Sequence, residues 1–403
     1  MPVYLSPGVY VEEVPTTPPI NGVGTSTAAF IGDVANNVTM PNQPGFQTDP
    51  NGDLVLDPNN NPIPIPFTVA TAGEPILITS FEQFKNKFGD FQTGNAVLAH
   101  AVFGFFNNGG TRCYVARVLD ITTNADVAAA LKKFEAIDEI AIVAIPGALQ
   151  ADERLSVIEH CENMKDRFAI LDGLRATTID VPSIQGTVRN SDYAGLYFPW
   201  LEVADPLTGN TVMVPPSGHL AGIYARVDTA RGVHKAPANE VVRGALGLEV
   251  LVSKNEQDGL NPKGINVIRN LNGGTRVWGA RTLGGNTNEA NGLVKYINVR
   301  RLLIFLEESI DEGTQFVVFE PNNPALWQKI TRTVTAFLTN VWRDGALFGL
   351  TPEQAFYVKC DESTNPPEVR DLGQVITEIG VAIVKPAEFV IFRISQLSGS
   401  AAA

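Results

Sequence analysis

The hydrophobic pattern changes its period along the chain, and each change marks an element. The first is a short strand-like run, Val9, Tyr10, Val11, Glu12, Glu13 and Val14. Behind it "PTTPPINGVG", residues 15–24, mixes prolines that favour extended backbone with glycines that turn it. This tether reaches about 33 Å when extended. No second strand follows within hairpin distance. A buried strand needs partners for its backbone donors and acceptors, so this one must find its sheet elsewhere.

"TAAFIGDV" opens the globular pattern, and residues 36–66 interrupt it. Turn signals flank Leu54-Val55-Leu56 in "DPNGDLVLDPNNNPIPIPF", which predicts an exposed hairpin or loop insertion. "PILITSFEQFKNKFG" predicts a strand leading into a short helix, with Phe81, Phe84 and Phe88 at helical spacing and Gly89 as the stop. An apolar helix in "NAVLAHAVFGFFNNGG" and a strand in "TRCYVARV" follow.

Residues 121–280 alternate helical and strand patterns. "NADVAAALKKFEAI" has a cap at Asn124 and apolar spacing at Val127, Leu131 and Phe134. "EIAIVAIPG" is continuously apolar, as a strand covered on both faces should be. A helix near 152–166 and the strand "RFAILDG" come next, and this order implies a partly parallel sheet. "YAGLYFPWLEV" predicts another strand, residues 205–240 read as loop-rich, and "GINVIRNLNGGTRVWGARTLGG" reads as strands around glycine turns.

The last third is strongly patterned. "KYINVRRLLIFLEESIDEG" is helical, with a stripe of Ile297, Leu302, Phe305 and Leu306. "QFVVFEP" reads as a strand. "NPALWQKITRTVTAFLTNVWRDGAL" is a long amphipathic helix carrying Leu326, Ile330, Val334, Phe337, Leu338 and Val341 on one face. Strands are predicted in "AFYVKC", "QVITEIGVAIV" and "AEFVIFRIS". In the last of these Phe389, Ile391 and Arg393 share one face and Val390, Phe392 and Ile394 the other. A strand so apolar on both faces wants cover on both sides. Each end of the chain therefore carries an isolated strand.

Length and composition narrow the class. The 403 residues exceed one small core and imply two or three domains. A net charge of −13 counts against a nucleic-acid partner, whose phosphates are held by Lys and Arg. Cys113, Cys161 and Cys360 lie far apart with no metal-ligand spacing, which suits synthesis in a reducing compartment. Neither a signal-peptide pattern nor an apolar run of membrane-spanning length is present, so cytoplasmic synthesis without membrane insertion is expected.

Candidate chemistry is sparse. Of the four histidines, His100 falls in an apolar helix as a core or interface residue, and His219 and His234 fall in expected loops. His160 and Cys161 are adjacent on a helix and so do not face each other as a base and nucleophile would. "NLNGGTRVWGARTLGG" lacks the phosphate-loop pattern and reads as tight turns beside a subunit contact. Asp361, Glu362, Glu368 and Asp371 in "CDESTNPPEVRD" could serve acid–base or cation chemistry, and read more simply as a solvated loop turning at Asn-Pro-Pro. Arg300 and Arg301, a turn or two ahead of Glu307, Glu308 and Asp311, suit intrahelical or inter-subunit ion pairs. No catalytic, cofactor-binding or metal-ligating residue is assigned, and the chain does not read as an enzyme.

Five segments, in order, carry a family likeness: "SPGVYVEEV", "NGGTRCYVARV", "YINVRRLLIFLEESI", "LWQKITRTVTAFLTNVWRDGALFG" and "CDESTNPPEVRDLGQVITEIGVAIVKPAEFVIFRISQ". Together they resemble the sheath protein of contractile phage tails, R-type bacteriocins and contractile injection systems. The resemblance implies an α/β fold whose shared sheath domain is built from N- and C-terminal parts of the chain around a middle inserted α/β domain. On this pattern residues 1–24 are an N-terminal arm and linker, and 25–120 the first part of the sheath domain with its insertion at 36–66. Residues 121–280 form the middle domain, 281–385 the second part of the sheath domain, and 386–403 a C-terminal arm and tail.

It also implies a mechanism. Subunits form six-fold rings stacked helically around an inner tube, between a baseplate and a terminal cap, and contraction drives the tube through a target envelope. The terminal arms donate strands to neighbouring subunits: Val9 to Val14 at one end, Phe389 to Ile394 at the other. The acceptor strand corresponds to Val375, Ile376, Thr377, Glu378, Ile379 and Val381. The tube-facing helix corresponds to 324–342 and its flank, with Trp327, Lys329, Arg332, Thr333, Thr339 and Arg343 toward the tube. The finished product would sit in a virion or tail-like particle. Another self-assembling structural protein, such as a surface-layer or adhesin subunit, is the alternative.

Overall fold

The computed structural model describes residues 19–176, 178–271, 273–287 and 294–391. Contacts divide the chain into two compact units, Val23–Glu307 with Ile383–Ala403, and Met1–Gly22 with Glu308–Ala382. The expected donor strand at Val9–Val14 lies outside the described residues, as do Phe392, Arg393 and Ile394.

In chain order the larger unit contains β1 (Ala28–Asp33), β2 (Asn42–Phe46), β3 (Pro64–Pro66), β4 (Ile76–Ile78), α1 (Phe81–Phe88), α2 (Ala96–Asn107) and β5 (Cys113–Val118). Next come α3 (Asn124–Phe134), β6 (Ile142–Ala144), α4 (Ala151–Met164), β7 (Phe168–Asp172), α5 (Val181–Gln185), β8 (Ala194–Phe198) and β9 (Leu201–Ala204). The series ends with β10 (Thr211–Val214), α6 (Ser217–Arg231), β11 (Ala245–Leu248), α7 (Lys254–Leu260), β12 (Ile265–Leu271), β13 (Gly274–Val277) and the start of α8 (Ile297–Thr314).

Eight of these strands make one sheet in the order β13-β12-β8-β7-β6-β1-β5-β4. Its interior pairs are parallel, and the antiparallel pairs are at its edges, β12 with β13 and β4 with β5. Strands from both sides of the boundary expected at residue 120 belong to it, because β1 pairs with β5 on one side and β6 on the other. The continuous apolar strands are explained by cover on both faces. Ala28 and Phe30 of β1 join one buried cluster with Phe84, Leu98, Phe105 and Tyr224. Ala29 and Ile31 join another with Leu131, Phe134, Val157 and Ile158.

Three predicted stretches differ from expectation. "YAGLYFPWLEV" forms two strands in different sheets, β8 in the large one and β9 in the antiparallel β10-β9-β11, and the chain changes sheets at Pro199, which has no N–H to offer a ladder. Residues 205–240, expected as loop, contain β10 and the helix α6, and His219 lies on that helix. Residues Ser217–Ala225 of α6 are buried without a break, so no polar stripe exists to reveal the period. Its glycines serve close packing: a Cβ at Gly218 would overlap the Ala101 backbone, and one at Gly222 the Phe105 carbonyl, both on α2. "QFVVFEP" is not a strand; Gln315–Val317 is a 3₁₀ turn, with Val318 and Phe319 exposed. The four-residue run Phe316–Phe319 is too weak a signal without a partner strand.

The 36–66 insertion is an exposed hairpin, as expected. Strands β2 and β3 pair, and bridges Thr48–Leu54 and Leu56–Pro62 extend it. Asp49 accepts from the backbone of Asn51 and Asp53, and Asp57 from Asn59 and Asn61, so "DPNGD" and "DPNNN" are two turns of one kind.

The smaller unit contains the end of α8, then α9 (Pro324–Arg343), α10 (Pro352–Ala355), β14 (Phe356–Lys359), α11 (Pro367–Asp371) and β15 (Glu378–Val381). Asn323 caps α9 by accepting from Ala325 and Leu326. Its buried face carries the predicted stripe from Leu326 to Val341.

Candidate assembly interface

The candidate chemical groups His160, Cys161 and Asp361 have structural surroundings. Burial pushes the Cys161 thiol upward, and burial followed by the Arg167 charge lowers His160 to about 4. His160 Nε2 lies 3.4 Å from Arg167 Nη1, not against Cys161. Asp361 Oδ1 accepts from the backbone and hydroxyl of Ser363, which hold its carboxyl below the usual range and make it a turn former. Among the described residues no group of three or more His, Cys, Asp or Glu could hold a metal ion, and no helix is long and apolar enough to cross a membrane.

What the smaller unit offers is an incomplete sheet. β14 and β15 pair antiparallel, with Phe356 opposite Val381, Tyr357 opposite Gly380, Val358 opposite Ile379 and Lys359 opposite Glu378. Among the described residues no third strand joins them. A two-stranded sheet is marginal alone and leaves one edge of each strand open. Of the expected acceptor residues, Glu378, Ile379 and Val381 lie in β15, whereas Val375, Ile376 and Thr377 precede it. That preceding stretch is pinned by a residue the sequence reading passed over. The fully buried Asn365 accepts from Ile376 N at 2.7 Å and donates to Ile376 O at 3.0 Å, doing what a strand partner would do. Its signal was only its place ahead of Pro366-Pro367. Apolar side chains around the sheet stand open to solvent, including Phe348 at 74% exposure and Leu350 at 89%.

Helix α9 packs on β14 and presents a polar outer face. Arg332 and Arg343 are exposed on it, and Lys329, Thr333 and Thr339 are half-buried. Trp327, expected on the same face, is instead 5% exposed. It follows Leu326 and precedes Ile330 by three residues, so it belongs to the buried stripe, and its Nε1–H donates to Asn322 Oδ1 at 2.8 Å. The helix carries three basic residues and no acidic one, in a chain of net charge −13.

In the larger unit, the segment leading to the expected C-terminal arm is firmly held. Glu388 Oε1 accepts from Arg281 Nε at 2.7 Å and Asn261 Nδ2 at 2.8 Å. Its Oε2 accepts from Arg281 Nη2 and the Tyr296 hydroxyl, both at 2.8 Å. Burial alone would raise this carboxyl; the bonds from Arg281, Asn261 and Tyr296 outweigh it and hold the carboxyl below its usual value. Just past the clamp, Phe389, Val390 and Ile391 are exposed and bonded into no strand. The start of the globular chain, where the expected N-terminal tether ends, is held by α8: Arg301 donates to Thr25 O and forms a bidentate pair with Asp228, which accepts the Thr25 hydroxyl at 2.7 Å. Asn298 of α8 donates to His234 O and Val384 O.

The chain is similar to known proteins over most of its length. The family model described as the phage tail sheath protein central domain matches residues 121–283, and that of the phage tail sheath C-terminal domain matches 289–396. The tail sheath protein of Burkholderia phage BcepMu is 28% identical over 50% of this chain and 43% of its own, so the match spans less than half of that relative. The contracted sheath of the anti-feeding prophage, solved by cryo-EM, is 29% identical with a TM-score of 0.74, covering 98% of this chain and 100% of that one. The contracted PVC sheath complex of an extracellular contractile injection system is 30% identical with a TM-score of 0.76, and each chain is covered to 99%. By that match and the two family domains, the chain belongs to the contractile tail sheath family, whose members are structural proteins rather than enzymes.

Proposed function

We propose that this chain is the mechanical subunit of a contractile sheath, stacking as six-fold rings around an inner tube and contracting to drive the tube through a target envelope. The observation that carries the reading is the two-stranded β14–β15 sheet, open at its edges and rimmed by exposed apolar side chains. Donated strands complete it: Val9–Val14 from one neighbour and Phe389–Ile394 from another. Strand addition joins chains through main-chain hydrogen bonds. About six such bonds, at roughly 0.5–1.5 kcal/mol each, give on the order of 3–9 kcal/mol per arm before ordering costs. Each subunit both donates and accepts, so the contact is heterologous and propagates into a helix. "PTTPPINGVG" is the joint that lets the bodies reorient while the strands stay paired.

The basic outer face of α9 supports a tube-facing role for Lys329, Arg332 and Arg343, flanked by Thr333 and Thr339. Baseplate and cap proteins would close the ends of the polymer, and the product would reside in a virion or tail-like particle. The test is negative-stain microscopy of the purified full chain beside a truncation lacking residues 1–14. Striated hollow tubules from the full chain and none from the truncation are expected. Normal tubules from the truncation overturn the arm assignment, and flat lattices from the full chain replace the sheath by a surface layer.

A further inference from the structure

Residues 388 and 389 divide two kinds of environment. Glu388 has all four of its acceptor positions filled, by Arg281 twice, Asn261 and Tyr296. Arg281 is 4% exposed and is itself fixed: Nη1 donates to Asn261 O and Asn286 Oδ1, and its backbone N–H donates to Asn266 Oδ1 at 2.7 Å. A bidentate Arg–carboxylate pair held in this way fixes position and direction together. The very next residues, Phe389, Val390 and Ile391, are 69%, 68% and 77% exposed. No slack separates the clamp from the arm.

We propose that the Glu388–Arg281 clamp is the positioning device that sets the register of strand exchange. This rests on the reading of residues 389–394 as a donated strand. Successive strand residues point to opposite faces, so a slip by one residue exchanges the whole face. With Glu388 fixed, Phe389 and Ile391 are committed to one face of the neighbour's sheet and Val390 to the other. The N-terminal arm works differently, since its proline- and glycine-rich tether lies between the root at Thr25 and the strand. One arm is registered from its own body, and the other finds its register in the acceptor.

The experiment is a set of insertions in the full chain. One serine placed between Glu388 and Phe389 inverts the faces; two serines restore them at the cost of one residue pair of offset. Sheath formation, measured by sedimentation and negative stain, is expected to fall at least tenfold with one serine and several-fold less with two. Glu388→Ala, which frees the root, is expected to narrow the difference between the two insertions. A nitroxide on Val390→Cys reads the root directly, because Cys113, Cys161 and Cys360 are buried and unavailable to the label. Its mobile fraction should rise several-fold in Glu388→Ala. If Glu388→Ala lowers the melting temperature, Glu388→Gln, which keeps the side-chain shape, supplies the same comparison.

Equal assembly by the two insertions, or an unchanged label spectrum, overturns the register proposal. A chain ending at Glu388 separates the two ideas. If it assembles normally, the arm reading itself fails; if it does not assemble while both insertions do, only the clamp inference fails.

Discussion

Tyr357 of β14 lies across Gly380 of β15, and a Cβ built at Gly380 would overlap the Tyr357 ring. The glycine is there because the aromatic ring occupies the space above it, a cross-strand pairing that flattens the ring against the strand. Gly380→Val would expel the ring from its place on the β14–β15 sheet, the proposed acceptor. The larger unit does not contain this sheet, so its melting should be unchanged, whereas sheath formation should fall at least tenfold. Gly259→Ala is the control: nothing lies within 4 Å of its Cβ, it sits in α7, and it should raise stability by up to about 1 kcal/mol without affecting assembly. Wild-type tubules from Gly380→Val would remove β14–β15 as the acceptor.

The α9 face makes an electrostatic prediction. Exposed ion pairs contribute roughly 0.2–1 kcal/mol each and are screened by salt, so one contact matters little, but a contact repeated by every subunit accumulates along a polymer. The double substitution Arg332→Glu with Arg343→Glu should leave the fold intact, since both side chains are exposed. Co-sedimentation with the tube protein should drop several-fold, and the wild-type complex should weaken as salt rises. Equal co-sedimentation of the reversed and wild-type chains would take the tube contact away from this face.

How much of this was legible in the sequence depends on whether an element shows two unlike sides. Helix α9 does, and its stripe from Leu326 to Val341 was read correctly; the strands of the large sheet announced themselves as continuous apolar runs. Trp327 was misplaced because a ring with a polar N–H suits either a surface or a core, and only Asn322, waiting to accept from it, decided for the core. Helix α6 was missed because it has no polar side, and its Gly218 and Gly222 mimic turn signals while serving close contact with α2. The proposal that β15 accepts a neighbour's strand comes from the family likeness alone. Asn365, which braces Ile376, has a role visible only once two segments eleven residues apart are brought together.

The contact of α6 with α2 gives a third prediction. A Cβ at Gly222 would overlap both the Phe105 carbonyl and the Asn108 Cβ, and backbone cannot yield as a side-chain tip does. Gly222→Ala should therefore cost about 1–3 kcal/mol despite the better helix propensity of alanine, which alone would add up to about 1 kcal/mol. Denaturant unfolding of the full chain measures the sum. A stabilised variant would mean that the two helices can part without loss.

His219 on α6 sets a pH dependence. Burial, with a smaller contribution from the His100 charge, lowers it to about 4 from the ordinary 6.5. The folded state thus keeps the imidazole neutral where the unfolded chain protonates it. The contribution to stability is complete above pH 6.5 and is lost as pH falls toward 4, by about 3 kcal/mol in all. Asp172 acts in the opposite sense: burial raises its carboxyl to about 6, so its charge burdens the folded state at neutral pH and that burden lifts as pH falls from 6 toward 3.8. His160, also lowered to about 4, adds to the acid-side loss. The total curve therefore mixes opposing groups, and the difference between wild type and His219→Leu isolates one of them. Substitution changes packing by an amount that does not vary with pH, whereas the histidine contribution does. The stability difference between the two chains should shift by about 2–3 kcal/mol in favour of the leucine variant between pH 7 and pH 4.5. A difference that stays constant over that range would place the protonation of His219 outside the folding equilibrium.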